Sequence, residues 1–155
     1  MTKKALYDRF IKAILEDDYE TIKKCVQLGV NVNQPYDFSG STPLYLCLQK
    51  NKNPKVFEYL VKHGADVTKR IGDSHLKEWQ KSSLLYFALT FHDIPVEIVK
   101  TILANGGDRD INYAPKGQRT PAEQAYVSGN TDLLKFYSRY CDIRISPELI
   151  KNNKR

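Results

Sequence analysis

Two neighbouring stretches decide the fold of this 155-residue chain: STPLYLCL at residues 41–48 and VFEYLVKHGADV at residues 56–67. Threonine followed by proline is typical of a helix start, because the hydroxyl caps the helix and proline needs no amide partner in the first turn. We predict a short apolar helix there, then a polar break and a second apolar helix. Gly64 follows as the left-handed residue that closes the second helix.

The same order of features recurs further along the chain. Residues 83–89 read SLLYFAL, and residues 96–108 read VEIVKTILANGGD. By register, GVNVN at residues 29–33 closes an earlier unit, and Thr120-Pro121 opens a later one. One helix–turn–helix unit repeated along a chain is the pattern of a solenoid, in which neighbouring units bury each other's apolar faces.

These features resemble the ankyrin repeat, whose units begin with a Thr-Pro-Leu-His-like helix start and end near Gly-Ala-Asp-Val-Asn. The resemblance implies an all-α ankyrin-repeat solenoid of stacked helix–turn–helix units with projecting β-hairpin or finger loops. We expect one domain over residues 1–155. Its repeats are expected at approximately residues 3–33, 34–68, 69–112 and 113–145, followed by a C-terminal capping segment at 146–155. In that segment, Ser146-Pro147-Glu148 is a suitable start for a last helix.

The spacing of the closing glycines locates an insertion. Gly29 and Gly64 are 35 residues apart, close to the family period of about 33, whereas Gly64 and Gly106 are 42 apart. Most of the excess falls in a long finger at about residues 70–81. Insertions in solenoids lie in loops on one face, often the binding face, so this finger is the first place to look for function.

The residues that could carry catalysis are few. The histidines are His63, His75 and His92, and no two have the spacing of metal ligands on one helix face. His63 precedes a closing glycine, where a role at the helix C-terminus is expected. No phosphate-binding loop or nucleophile elbow occurs. We therefore predict that the protein is not an enzyme and needs no cofactor or metal.

The three cysteines, Cys25, Cys47 and Cys141, match no zinc or redox motif. Cys25 and Cys47 fall where a repeat needs a small buried residue, so a structural role in a reducing compartment is expected. No apolar run approaches the roughly 18 residues of a membrane span, and the N-terminus lacks the apolar core of a signal peptide. These features predict a cytoplasmic protein, in the producing cell or in the cytosol of a host cell.

The resemblance implies recognition of a protein through the finger tips and the exposed side of the first helices, which together form a concave face. Aromatic side chains at loop tips are unusual and dominate many interfaces. Phe38 and the single tryptophan, Trp79, both fall at finger tips, although internal packing of these rings is an alternative. Tyr45 and Tyr86 replace the usual histidine of the repeat and are expected to be structural. The residues expected to contact the partner are Tyr36, Phe38, Gln49, Lys50, Trp79, Gln80, Phe91, Lys116 and Arg119.

The function expected from these features is the binding, and inhibition or sequestration, of one protein partner. A basic rim of Lys50, Lys81, Lys116 and Arg119, within a net charge of +6, favours an acidic partner. Small ankyrin proteins of this kind act in interference with host signalling or in neutralising a toxin, and the residues do not separate the two. Nucleic-acid association driven by the positive charge and a self-associating structural scaffold are the alternatives. We expect no small-molecule substrate, no membrane contact and a monomer when unbound.

Overall fold

The structure is a computed structural model that describes residues 1–91, 93–129, 134–136, 138–139 and 143–153. The α-helices of the described residues include α1 (Lys3–Leu15), α2 (Tyr19–Gln27), α3 (Pro43–Gln49), α4 (Pro54–Lys62), α5 (Leu84–Thr90), α6 (Val96–Ala104), α7 (Pro121–Val127) and α8 (Pro147–Asn153). Short 3₁₀ helices span Glu78–Gln80 and Gly107–Asp110, and residues 134–136 are also helical. No β-strand forms within the described ranges, so the predicted all-α fold of paired helices is confirmed.

The helices begin where the capping residues predict. Thr42 accepts a hydrogen bond from the Tyr45 amide ahead of α3, and Pro43 is the first helical residue. Ahead of α7, Thr120 accepts from the Glu123 amide, and the Glu123 carboxylate accepts from the Thr120 amide in return. Each such cap satisfies an amide that the helix itself leaves unbonded, which fixes the start of the helix.

Left-handed residues recur at equivalent turns. The closing glycines Gly29, Gly64 and Gly106 have φ angles of 88°, 99° and 98°, as expected for helix C-termini. The turns that join paired helices also contain positive-φ residues, which are Asp17, Lys52, Asp93 and Gly129. The repetition of both turns shows that the same helix–turn–helix geometry is built several times along the chain.

The paired helices stack into one continuous apolar core. α1 packs on α2 and α3, α3 on α4 and α5, α5 on α6 and α7, and α4 on α6. The core includes buried Phe10, Phe57 and Leu60, together with Ile98 and Ile102. Each helix pair therefore covers the apolar face of the next, which is how a solenoid gains stability that a single unit lacks.

Asparagine side chains tie the first two helix pairs together. The Asn33 amide group donates to the Gly64 carbonyl at 2.8 Å, and its oxygen accepts from the Asp66 amide at 2.8 Å. At the opposite end of the helices, Asn51 donates to the Ile14 carbonyl at 3.1 Å, and Asn53 donates to the Asp17 carboxylate at 3.0 Å. These bonds fix the position of one pair on its neighbour.

The last helix begins at the predicted place. α8 starts at Pro147 and contacts α7, and the Ser146 hydroxyl donates to the Glu123 carboxylate at 3.0 Å. Leu149 and Ile150 are half-buried. The exact bounds of the four repeats remain a prediction, because part of the fourth lies outside the described residues, as do Cys141 and His92. No described helix has the length and apolar character needed to cross a bilayer.

The buried cysteines generate a testable expectation. Cys25 and Cys47 are fully buried, and burial raises the pKa of the Cys47 thiol to about 12. Because the thiolate is the reactive form, neither thiol should react with DTNB at mildly alkaline pH while the protein is folded. The measurement is a thiol titration of a Cys141→Ser variant, which keeps these two cysteines. In denaturant the same variant should yield both thiols, and rapid reaction without denaturant would contradict the burial.

Candidate functional site

Three loops project from the ends of the helix pairs, and we call them finger A (residues 35–41), finger B (residues 71–82) and finger C (residues 113–119). In finger A the Tyr36 amide donates to the Ser41 carbonyl at 2.9 Å. The Asp37 carboxylate accepts from the Ser39 and Ser41 amides at 3.0 Å each, an Asx-type arrangement that holds the loop closed.

Finger B is the long finger expected at about residues 70–81. A single antiparallel bridge joins its ends, with amide-to-carbonyl distances of 2.8 and 3.0 Å between Ile71 and Ser82. The expected β-hairpin is thus reduced to one pair, and the 3₁₀ helix Glu78–Gln80 occupies the returning side. The amide of Lys77, directly before this 3₁₀ helix, donates to the Gln80 side-chain oxygen at 2.9 Å.

Fingers A and B touch through their glycines. Gly40 has a φ of 70°, and a Cβ atom placed on it would overlap the carbonyl oxygen of Gly72. Glycine is therefore required at Gly40 for two reasons, the left-handed backbone and the close approach of the neighbouring finger. The contact sets the spacing between the two fingers.

Finger B is fastened to finger C through Tyr113. The Tyr113 hydroxyl lies 3.0 Å from the Glu78 carbonyl oxygen and 2.6 Å from the Lys81 carbonyl oxygen. The Arg70 guanidinium lies 3.4 Å from the Tyr113 ring centre and forms an ion pair of 2.9 Å with buried Asp110. These contacts connect the base of finger B to Asp110 and to finger C, and loss of either charge of the ion pair would leave the other uncompensated.

An aromatic cluster covers the exposed side of the first helices. The Tyr45 and Phe87 ring centres are 4.8 Å apart, and Phe91 stacks on Phe87 at 6.2 Å. On the finger A side, the Tyr36 hydroxyl donates to the Gln49 side-chain oxygen at 3.2 Å. The Gln49 amide group donates to the Tyr45 hydroxyl at 3.3 Å. These contacts hold the cluster in a fixed arrangement.

A groove runs between fingers A and B above this aromatic cluster, and we call it the finger groove. Its volume is about 430 Å³, and its lining includes Tyr36, Asp37, Tyr45, Asp73, Leu76 and Phe87. Burial, followed by the negative charge of Asp37, raises the pKa of the Tyr45 hydroxyl. The groove is thus an open concave surface with aromatic side chains and carboxylates, suited to receiving part of another molecule.

Comparison with known families matches a segment that supplies part of this groove. Residues 39–71 match the family model of the ankyrin repeat. This segment is similar to an ankyrin repeat. No curated protein matches the chain. The matched segment begins in finger A, continues through α3 and α4, and ends at the first residue of finger B. Ankyrin repeats are generally protein–protein interaction modules, and the fold of paired helices agrees with an ankyrin-type solenoid.

The aromatic residues predicted at the finger tips are exposed. Phe38 on finger A is 98% exposed, and Trp79 on finger B is 58% exposed. For Phe38, the alternative of packing back on a neighbouring loop is therefore wrong. Leaving a large aromatic side chain in water forgoes the free energy of burying it, so these two rings are available for contact with another molecule.

The other predicted contact residues fall into two groups. Tyr36 and Gln49 meet in the finger groove, whereas Phe91 is half-buried against Phe87 beside it. The remaining ones are exposed outside the groove: Lys50 at the end of α3, Gln80 on finger B, and Lys116 and Arg119 on finger C. Lys81 of the predicted basic rim is half-buried and pairs with Glu78 at 3.4 Å.

Sequence reasoning missed several residues that line the groove. Tyr45 was expected to be structural, and it does pack on Phe87, but it also faces the groove. Asp73 and Leu76 enter the groove because finger B folds over toward finger A. The i, i+4 spacing of Tyr45 with Gln49 and of Phe87 with Phe91 could have indicated that Tyr45 and Phe87 face the groove, because this spacing places each pair on one side of a helix.

The described residues hold no cluster of three or more histidine, cysteine or acidic side chains able to bind a metal. His63 directly follows α4. Its Nδ1 atom lies 2.8 Å from the Tyr59 carbonyl oxygen, in agreement with a role at the helix C-terminus. His75 is exposed on finger B, 4.0 Å from Asp73. The groups that the site does present are exposed rings, hydrogen-bonding groups and charges.

The glycine contact between fingers A and B can be tested with a matched pair of variants. Gly40→Ala and Gly117→Ala both place alanine at a positive φ, which costs about 1–2 kcal/mol. Gly117 has open space around the added methyl group, whereas Gly40 faces the Gly72 backbone. We expect Gly40→Ala to lower the free energy of unfolding by at least about 1 kcal/mol more than Gly117→Ala, as measured by urea denaturation. Equal losses would show that the fingers do not need this close approach.

Proposed function

We propose that the chain binds one protein partner through its finger tips and first helices, and that binding inhibits or sequesters that partner. The observation that carries this proposal is the exposure of Phe38 and Trp79 on adjacent fingers. Isolated exposed apolar side chains are common, but two large rings on loops beside a concave groove are typical of an interaction surface. The ankyrin repeat at residues 39–71 supports the same class of function.

The proposed contact surface joins the finger tips to the finger groove. Phe38 and Trp79 would become buried anchors, and half-buried Phe91 would extend the apolar contact along α5. Polar residues would surround these anchors and fix the orientation of the partner, as the rim of an interface does. The full set is Tyr36, Phe38, Gln49, Lys50, Trp79, Gln80, Phe91, Lys116 and Arg119.

The charge of the surface supports an acidic region on the partner near finger C. Lys116 and Arg119 are exposed there, and the whole chain has a net charge of +6. Lys81 contributes less than the other basic residues because Glu78 neutralises it. A complementary charge would accelerate encounter more than it would tighten the complex. The unbound protein would be a monomer acting in the cytoplasm of the producing cell or of a host cell.

The biological setting proposed for this surface is the inhibition of a protein, either a host signalling component or a toxin. The positive charge also supports nucleic-acid association as a second candidate. Nucleic-acid binding would fall steeply with added salt, whereas a complex anchored by two aromatic rings would weaken far less. Self-association through the stack would instead appear as a concentration-dependent sedimentation coefficient.

Replacement of Trp79 tests the proposed surface. We expect Trp79→Ala to fold normally, because the side chain is mostly exposed, and to weaken partner binding by roughly tenfold or more, as for an interface hot spot. The measurement is quantitative capture from the native source with wild type and variant side by side, followed by titration calorimetry with the captured protein.

Leu28→Ala is the matched control, because Leu28 is 63% exposed but belongs neither to a finger nor to the lining of the finger groove. This variant should bind as tightly as wild type. A folded Trp79→Ala protein with unchanged affinity would remove Trp79 from the contact surface. Equal losses in both variants would indicate a general effect on the fold.

A further inference from the structure

The finger groove carries negative charge, although the chain as a whole is basic. Among the described residues that line it, Asp37 and Asp73 are charged, and neither lysine nor arginine occurs. In the described part of the chain, no lysine or arginine nitrogen lies within 4.0 Å of either carboxylate. The groove therefore presents two carboxylates that no lysine or arginine of the described residues neutralises directly, while the His75 imidazole lies 4.0 Å from Asp73.

The cations nearest to this groove are already engaged elsewhere. A second cavity beside the contact between fingers A and B is lined by Asp37 as well as by Lys69, Arg70 and Lys81. Lys69 donates to the Asn33 carbonyl at 3.1 Å, Arg70 pairs with Asp110, and Lys81 pairs with Glu78. Each of the three cations thus has a partner other than Asp37, and none lies within 4.0 Å of its carboxylate.

Asp37 is held in position and still able to bind. The amides of Ser39 and Ser41 donate to its Oδ1 atom, and within the described chain Oδ2 accepts no hydrogen bond. The carboxylate is thus fixed by one oxygen and offers the other. The pKa values of the Tyr36 and Tyr45 hydroxyls are raised, first by burial of these tyrosines and further by the negative charge of Asp37. The electric field of Asp37 therefore reaches the groove.

Aromatic side chains complete the lining. Tyr36, Tyr45 and Phe87 line the groove with the carboxylates, and hydrogen bonds through Gln49 fix the two tyrosines. Rings attract cations through the negative charge of their faces, and arginine does so more often than lysine because its planar guanidinium also stacks. A lining of rings and carboxylates selects a flat, positively charged group.

We propose that the finger groove receives an arginine side chain of the partner protein, with the guanidinium bound between Asp37 and Asp73 and against the aromatic lining. This rests on the proposed function, since it names what the partner inserts into the groove between fingers A and B, the fingers that carry Phe38 and Trp79. It is compatible with an acidic region on the partner near finger C, because Lys116 and Arg119 lie on a different finger from the two carboxylates. The partner would present an arginine flanked on one side by acidic residues.

The experiment uses a probe that does not depend on knowing the partner. Nα-acetyl-arginine amide is titrated into ¹⁵N-labelled protein and followed by amide chemical shifts, with Nα-acetyl-citrulline amide as the uncharged isostere. We expect saturable, millimolar binding of the arginine probe with shifts concentrated in residues 36–41, 71–76 and α3. The citrulline probe should bind at least about fivefold more weakly, because it has lost the charge that pairs with the carboxylates.

A double variant, Asp37→Asn with Asp73→Asn, tests the carboxylates themselves. Asparagine keeps an Oδ1 acceptor for the finger A amides, so the loop should stay folded. We expect this variant to bind the arginine probe at least about fivefold more weakly, and the shifts of residues 36–41 in the free protein report its fold. Glu16→Gln with Glu58→Gln removes the same charge outside the groove and should bind like wild type.

The outcomes separate this proposal from the proposed function. Equal shifts with the arginine and citrulline probes, or arginine shifts spread over the whole surface, would overturn the arginine site. Unchanged affinity in the folded double asparagine variant would do the same. Because none of these measurements uses the partner or Trp79, the arginine site can fail while protein binding through Phe38 and Trp79 stands. The reverse result, loss of the Trp79 contact with arginine binding intact, would leave the groove as a separate site.

Discussion

Each helix pair in this chain buries its apolar face against the next pair, and the other features of the structure depend on that contact. A single pair of helices of seven to thirteen residues cannot bury enough apolar surface to be stable alone. Stacking fixes the orientation of every pair, and the repeated left-handed turns allow the chain to enter each new pair in the same way. As a result the three fingers project from equivalent positions and meet as neighbours.

The insertion in finger B changes what this regular stack presents. Ordering its extra residues has a cost, because fixing each residue opposes folding by about 1–2 kcal/mol of backbone entropy. The structure offsets that cost at several points: the Ile71–Ser82 bridge, the Tyr113 hydroxyl and the ion pair of Arg70 with Asp110. A fastened finger can present Trp79 and border a groove with little further loss of entropy on binding, which favours affinity.

The electrostatic character of the surface differs over short distances. The chain is basic overall, and finger C carries exposed Lys116 and Arg119, yet the finger groove contains Asp37 and Asp73 without a direct lysine or arginine partner in the described chain. Such alternation restricts the set of partners more than a uniform charge does, because a partner must match both signs in the correct places. A net charge by itself is thus a poor guide to the chemistry of a concave site.

The sequence by itself determined the helix pairs, because their signals are local: Thr42-Pro43 and Thr120-Pro121 cap helices, Gly64 and Gly106 close them, and apolar residues recur at helical spacing. It also predicted the insertion and the exposed rings of Phe38 and Trp79. Only the tertiary structure decided that Asp37, Tyr45, Asp73 and Leu76 share one groove. These residues come from two fingers and a helix, and their meeting depends on how finger B folds over toward finger A. That arrangement is set by contacts between distant residues, such as Gly40 with Gly72 and Tyr113 with Lys81, which no local pattern in the chain encodes.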